Sequence, residues 1–328
     1  MLSLGPIDCI SPLKIKEMKI KLKLNYFTLL LPIAAIFFTA CTDEENPFAY
    51  SKDTHSRGAS KIYIEESFKP LFDTSIYTFE SQFPRGEIKP VYKSEGDIIQ
   101  AFYDNKIKTI CISRDFTSLE KKELKKAQVE VRSDKIAEDA LALIVHPSNP
   151  DSILILSELK DILLGKTTQW PALKTPINIV FDNENSANYF YLKRLFDLKK
   201  VPVNMFAVKS NAEVISYVKE NKNALGIIGL NWISDADDFD ALNFVNGITV
   251  MSIAKDETTS YYKPFASYIY TKEYPLTREI WMINKAKKAG LAAGFILFMK
   301  GEKGQLIIQK SALVPANSPI RLISLETE

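Results

Sequence analysis

Histidine and cysteine are scarce in this chain, with two and three copies in 328 residues, and no apolar run reaches the roughly 20 residues that a membrane-spanning helix needs. Each scarcity excludes something. His55 falls in a polar stretch and His146 precedes Pro147 at the end of an apolar run, so the commonest general base has no evident post and His146 reads as a hinge or surface residue. A Gly-x-Ser-x-Gly elbow, a His-Glu-x-x-His pair, a P-loop and a paired-cysteine metal spacing are all missing. The chain is therefore expected to be no enzyme and to hold neither cofactor nor metal. An excess of one charge is missing too. Lys and Arg number 42 against 40 Asp and Glu, interleaved without a basic stripe, which argues against a nucleic-acid partner. With 46% hydrophobic and 25% charged residues, the composition is that of a soluble globular protein.

What is present begins with Cys41. It closes the apolar run Phe27 to Ala40, which follows Lys19, Lys21 and Lys23 and precedes Thr42-Asp43-Glu44-Glu45. A basic stretch, a short apolar core and small residues form the layout of a secretory signal. In Phe38-Thr39-Ala40-Cys41 the cysteine resembles the lipid-accepting residue of a bacterial lipoprotein, so the mature chain is expected to start there, tethered to a membrane within the cell envelope. Residues 1–17 carry no such pattern and read as an upstream extension, with 18–40 as the signal. Cys9 precedes that signal, leaving Cys111 alone in the run Thr109-Ile110-Cys111-Ile112; it reads as a buried small hydrophobe that forms no disulfide.

Residues 41–60 are polar without helical or strand period and read as a flexible tether. From Lys61 short apolar runs alternate with helical patterns, the signal for βαβ units and a mainly parallel sheet. Strands are expected at Lys61–Ile64, Glu87–Tyr92, Thr109–Ser113, Ala140–Val145, Ile177–Phe181 and Ala224–Gly229. Helices are expected at Ser67–Phe83, Asp97–Asn105, Asn185–Leu198 and Ala212–Asn221, with a short one capped by Ser157 and stopped by Gly165. Open sheets of this kind bind ligands beyond the carboxyl ends of their strands, which gathers Glu65, Glu66, Ser67, Ser113 and Arg114 at one crevice.

Seven strings follow in order: SRDFTSLEKKEL from Ser113, ALALIVHPSNP from Ala140, LSELKDILLGKTTQWPAL from Leu156, INIVFDNENSANYFYLKRLF from Ile177, ALGIIGLNWISD from Ala224, YPLTREIWM from Tyr274 and GQLIIQKSALVPA from Gly304. Together they resemble the phosphate-binding-protein (PstS-like) family of ABC transporter substrate-binding proteins, over about residues 61–323. The resemblance implies an α/β, two-lobed periplasmic-binding-protein fold of type II, each lobe a doubly wound, mainly parallel sheet with flanking helices. It maps lobe one to 61–139 plus 250–328 and lobe two to 140–249, with crossings near Asp139-Ala140 and Val250-Met251. It further implies a monomer that holds a small oxyanion between its lobes for an ABC permease.

Anion capture also has a physical basis in the residues themselves. A helix start offers unpaired N–H groups and partial positive charge, so junctions rich in Ser, Asn or Gly suit oxyanions. Three such junctions appear: Glu65-Glu66-Ser67, Ser113-Arg114-Asp115 and Asn185-Ser186-Ala187-Asn188. Glu65, Ser67, Ser113, Arg114, Asn185, Ser186 and Asn188 are thus the candidate ligand residues. Each serine equally suits a plain helix cap, and Arg114 equally suits a salt bridge to Asp115 or Glu120. Compared with the family, two carboxylates replace a Gly-Ser-Thr type loop at the first junction. Asp182 replaces the arginine of the family's Arg-x-x-x-Ser-Gly-Thr, Ala187-Asn188 replace its Gly-Thr, and Arg114 stands where phosphate binders carry an aspartate. Glu65, Glu66, Asp182 and Glu184 then face a cleft with mainly Arg114 to oppose them. A like-charge contact at 4 Å costs on the order of 4 kcal/mol at moderate screening, so phosphate is expected to bind well only if those carboxylates point away. Another polar or zwitterionic solute, a glycan stacked on Trp232 or Tyr261-Tyr262, or a protein partner at the cell surface remain the alternatives.

Overall fold

The computed structural model describes residues 53–199, 204–285 and 290–317; the signal run, Cys9 and Cys41 lie outside them. No helix among the described residues is long and apolar enough to cross a membrane.

The described chain opens with strand β1 (Arg57–Glu65), a 3-10 turn (Glu66–Phe68) and helix α1 (Lys69–Gln82). Strand β2 (Arg85–Lys93), helix α2 (Glu95–Tyr103), strand β3 (Thr109–Ile112) and helix α3 (Ser118–Lys126) follow. β1 pairs in parallel with both β2 and β3. The tether expected to reach residue 60 ends earlier, because Arg57 already lies opposite Arg85 in the β1–β2 ladder; backbone pairing sets that boundary, and side-chain pattern does not show it. Residues of α1 on one face, Leu71, Phe72, Ile76 and Phe79, are buried. Phe79 meets Phe295 edge-on at 5.3 Å, an arrangement aromatic rings favour.

Strand β4 (Arg132–Val145) is the longest element of the sheet. Its last six residues, Ala140 to Val145, are fully buried, which is why only they stand out as an apolar run. The first half, Arg132 to Asp139, is charged or polar except for the adjacent Ile136 and Ala137. β4 joins the two wings of the sheet. Up to Ala140 it pairs antiparallel with β11 (Thr277–Asn284), and from Leu141 it pairs antiparallel with β8 (Ala224–Gly229).

After β5 (Ile153–Ile155) and α4 (Leu156–Leu163) come β6 (Asn178–Phe181), α5 (Ala187–Phe196), β7 (Met205–Ala207) and α6 (Asn211–Glu220), then β8. α4 starts two residues earlier than a Ser157 cap would place it, with Ile155 as the cap, because the Glu158 carboxylate accepts from the Ile155 N–H at 2.9 Å. A 3-10 turn (Leu230–Trp232), α7 (Phe239–Val245), β9 (Thr249–Val250), β10 (Ser252–Ala254), α8 (Ala266–Tyr270) and β11 follow. Helices α9 (Leu291–Lys300) and α10 (Glu302–Lys310) and strand β12 (Val314–Pro315) end the described chain. The main sheet runs β2-β1-β3-β11-β4-β8-β6-β7. Its two wings are parallel, and antiparallel β4 and β11 join them, a two-lobed α/β arrangement of a curled sheet with flanking helices. Cys111 is free and buried in β3, as its apolar neighbours predict.

Candidate functional site

The carboxyl end of β1 places Glu65 and Glu66 at the first turn, facing the helix starts of the other lobe. Glu65 Oε2 accepts from the Ser67 N–H at 2.9 Å and from the Ser67 hydroxyl. Its Oε1 accepts from the N–H of Ala187, the first residue of α5, at 3.3 Å. Ser186 caps that same helix, its Oγ accepting from the Tyr189 N–H at 3.2 Å. Glu66 Oε2 meets the next helix start, accepting from the backbone N–H of Asn211 at 3.4 Å and from its side-chain amide. Two neighbouring carboxylates of one lobe therefore cap two helices of the other, where unpaired N–H groups favour negative charge.

Asn211 ties these contacts together. Its amide also donates to Asp182 Oδ2 at 3.2 Å, and its Oδ1 accepts from the Asn188 amide at 3.1 Å and the Gly229 N–H at 2.9 Å. Arg278, on β11, supplies the only guanidinium at this centre among the described residues. Its Nε and Nη2 donate to Asp139 Oδ2 at 2.9 and 2.7 Å, Nη1 to Asn188 Oδ1 at 2.7 Å and Nη2 to Ser67 Oγ at 2.9 Å. A side chain at position 229 has no room, since a Cβ there would stand 2.9 Å from Arg278 Nη2 and 3.1 Å from the Ser67 carbonyl. The Asn231 amide donates to that same carbonyl. Glu65, Ser67, Asp139, Asp182, Ser186, Asn188 and Asn211 are at most 1% exposed.

The electrostatics of the group follow from burial with too few cations. Burial raises the Glu65 carboxyl well above its usual value, and the nearby Asp182 raises it further. Burial and Asp182 push Glu66 up to about 7. Burial raises Asp182 and also Asp139, the latter despite Arg278 beside it. Burial disfavours charge on Arg278, yet Asp139, Glu65 and Asp182 hold its pKa above the usual value. Four carboxyl groups thus share one guanidinium, and protons must settle part of the imbalance.

Of the residues expected to meet here, Glu65, Ser67, Ser186 and Asn188 do. Asn185 is exposed and contributes its carbonyl, which accepts from the Gly96 N–H at 3.0 Å. Ser113 and Arg114 belong to a second cluster. Glu95, which opens α2, accepts at Oε2 from the Ser113 N–H at 2.8 Å and hydroxyl at 2.5 Å. Arg114 forks onto Glu120 at 2.7 and 2.8 Å, so the salt-bridge alternative describes its geometry. Its Nε lies 3.9 Å from Glu95 Oε1, and Arg194 Nη1 of α5 lies at the same distance. The carboxylates Glu65, Glu66 and Asp182 do not point away from the centre; Glu184 is exposed. Trp232 is 7% exposed and packs on Phe244 as a core residue. No cluster of three metal-ligating side chains occurs among the described residues.

Sequence reading missed Arg278, Asn211 and Glu95. Arg278 had a signal, an arginine heading the apolar strand Ile280 to Ile283. Asn211 and Glu95 had only the weak signal of polar residues in a first helical turn. Chemically, two N–H groups and a hydroxyl around one carboxylate form an oxyanion cradle, here filled by the chain's own side chain.

The pattern of the PBP superfamily domain matches residues 52–303. The phosphate-binding protein PstS of Staphylococcus epidermidis is 24% identical over 283 residues, 83% of each chain. That of Staphylococcus aureus is 26% identical over 267 residues, 78% of each chain. Among solved structures, a putative phosphate ABC transporter substrate-binding protein from Clostridium perfringens with bound phosphate superposes with a TM-score of 0.66 at 23% identity, over 79% of this chain and 100% of that one. An ABC-type phosphate transport receptor from Vibrio cholerae gives 0.59 at 20% identity, over 78% and 99%. These likenesses establish the fold, and the proteins are binding proteins rather than enzymes, in agreement with the missing catalytic motifs.

Proposed function

The chain belongs to the PBP (periplasmic-binding-protein) superfamily, and we propose that it is an extracytoplasmic solute-binding protein, tethered by lipid on Cys41, that captures a small phosphate-like oxyanion between its lobes for an ABC permease. In this reading lobe one comprises residues 61–139 and 250–328, lobe two 140–249, and the Ser67 and Ala187 N–H groups with the Ser67 hydroxyl are the ligand cradle. The observation that carries it is the Glu65 carboxylate, whose two oxygens accept N–H groups from both lobes at 2.9 and 3.3 Å. A carboxylate held in this way supports an anion-binding reading of the junction. A guest anion must displace Glu65, and Asp182 and Glu66 oppose it, so affinity at neutral pH is expected to be weak.

Isothermal titration with phosphate, sulfate and arsenate tests this. Wild type is expected to bind no tighter than about millimolar, and Glu65→Ala is expected to gain at least tenfold for one of these anions. Absence of heat from every anion with both proteins overturns oxyanion capture.

The carboxylate excess favours a second reading, in which the closed fold serves as an envelope scaffold for a protein or polymer partner. Recovery of a permease in a cross-linked pull-down supports transport; recovery of a different envelope component, with no permease, supports the scaffold.

A further inference from the structure

A cavity of about 790 Å³ lies in lobe one, lined by Asp53, Ser60, Lys61, Lys106, Lys108 and Lys285 among others. It sits where parallel strand β3 begins and β11 ends, with Thr109 and Asn284 in its wall and paired in register. The interlobe centre lies at the other end of β1 and β3, beyond Glu65 and Ser113. This cavity is therefore a separate place in the fold.

Its charge is one-sided. Four lysines and one aspartate are among its lining residues, in a chain whose net charge is only +2. Lys61 and Lys108 are exposed and take part in no ion pair or side-chain hydrogen bond among the described residues. Lys106 pairs with Asp104 at 2.8 Å. Lys285 donates to the Phe102 carbonyl at 2.6 Å and stands 4.3 Å from the centre of the Phe102 ring. Burial and the charge of Lys108 lower its pKa, so like charges crowd at the rim. The N-terminus of α9 completes the wall, its Leu291 N–H donating to Asp53 at 2.7 Å.

The position of Asp53 decides which anion the cavity meets. It is twelve residues beyond Cys41, and twelve residues span at most about 40 Å when fully extended. We propose that the cavity docks the phosphate headgroups of anionic lipids in the membrane that carries the tether, a step that rests on lipidation of Cys41. Clustered lysines beside an anionic leaflet each contribute about 1 kcal/mol. Docking this end of lobe one turns the cleft end of the sheet away from the anchoring leaflet.

The test uses the mature chain with Cys41→Ser, so that no acyl group contributes, in co-sedimentation with vesicles. Binding is expected to phosphatidylcholine vesicles containing phosphatidylglycerol or cardiolipin, not to phosphatidylcholine alone, and to weaken with salt. Lys61→Gln with Lys108→Gln, both on exposed positions, is expected to weaken it by about 25-fold, at roughly fivefold per lysine, while Lys122→Gln with Lys125→Gln on α3 leaves it unchanged. Equal loss in both variants, or no vesicle binding by the parent, overturns the proposal. Saturable heat with inorganic phosphate or glycerol phosphate that vanishes in the Lys61/Lys108 variant assigns the cavity to a soluble ligand and overturns it as well. Metabolic labelling with palmitate of the unmodified chain tests Cys41 separately, so failure of the tether is distinguishable from failure of the cavity.

Discussion

At the residue scale, the centre turns on one buried cation. Arg278 holds Asp139, Asn188 and Ser67 together, and removing it strands a buried carboxylate, which costs about 3–5 kcal/mol. Arg278→Gln is therefore expected to lose that much stability in urea unfolding, and Asp139→Asn in the same chain is expected to recover part of it. Glu66 makes a second prediction. Its carboxyl titrates near 7 when folded against a usual 4.5, so the folded state holds the proton more tightly than the unfolded one. The stability this gives is complete below pH 4.5 and is lost as pH rises through 7, at most about 3 kcal/mol for a partly buried group. The urea midpoint of Glu66→Gln should fall less than that of wild type between pH 5 and pH 8. Equal slopes for both proteins would contradict the assignment. Glu120 works in the opposite sense. Burial opposes its charge, but Arg114 and the Thr117 N–H hold it down to about 2, so its contribution disappears only in strong acid.

At the element scale, packing around β8 leaves no slack. A Cβ at Gly226 would stand 2.6 Å from Val218 Cγ2 of α6 and 2.7 Å from Ile144 Cγ1 of β4, and neither branched side chain has a flexible end to move. Gly226→Ala should cost about 1–3 kcal/mol, read as a lower thermal midpoint, with Val218→Ala restoring part of the loss. β8 is also the element most legible in the sequence, because Ala224 to Gly229 is buried throughout and nothing interrupts its apolar run. The first half of β4 was illegible for the converse reason: Arg132 to Asp139 pairs with β11 from a sequence distance of more than a hundred residues, and its mostly charged, polar sequence carries no period-two apolar pattern. The site divides along the same line. Glu65, Ser67 and Ser186 follow from strand-to-helix junctions visible in one dimension. Arg278 reaches Asp139 across 139 residues of sequence, a pairing that only the antiparallel β4–β11 register creates. Arg114 looked like the central guanidinium because it follows β3, yet a capping box at Thr117 and Glu120 supplies it with a nearer carboxylate.

At the scale of the whole molecule, in the proposed reading the same contacts that fill the cradle hold the lobes together. Glu65 and Glu66 cap α5 and α6, Asn231 binds the Ser67 carbonyl, and Gly96 donates to the Asn185 carbonyl at 3.0 Å. In a hinged binding protein a ligand closes the lobes by binding the closed form better than the open one. On the proposed reading side chains already supply those closing contacts, so a guest that merely replaces Glu65 is expected to gain little differential affinity and to shift the equilibrium little. Spin labels on exposed Lys122 of α3 and on exposed Lys222 after α6 report the separation of the lobes. Wild type is expected to give one narrow distance distribution that millimolar phosphate leaves unchanged. Glu65→Ala with Glu66→Ala is expected to broaden it toward longer distances, and phosphate is expected to narrow it again. If the double variant keeps the wild-type distribution, the two carboxylates are not the closing element and the hydrophobic contacts of the lobes suffice to keep them shut. If wild type itself is broad and phosphate narrows it, Glu65 yields its place readily, and the acidic replacements set affinity without setting shape.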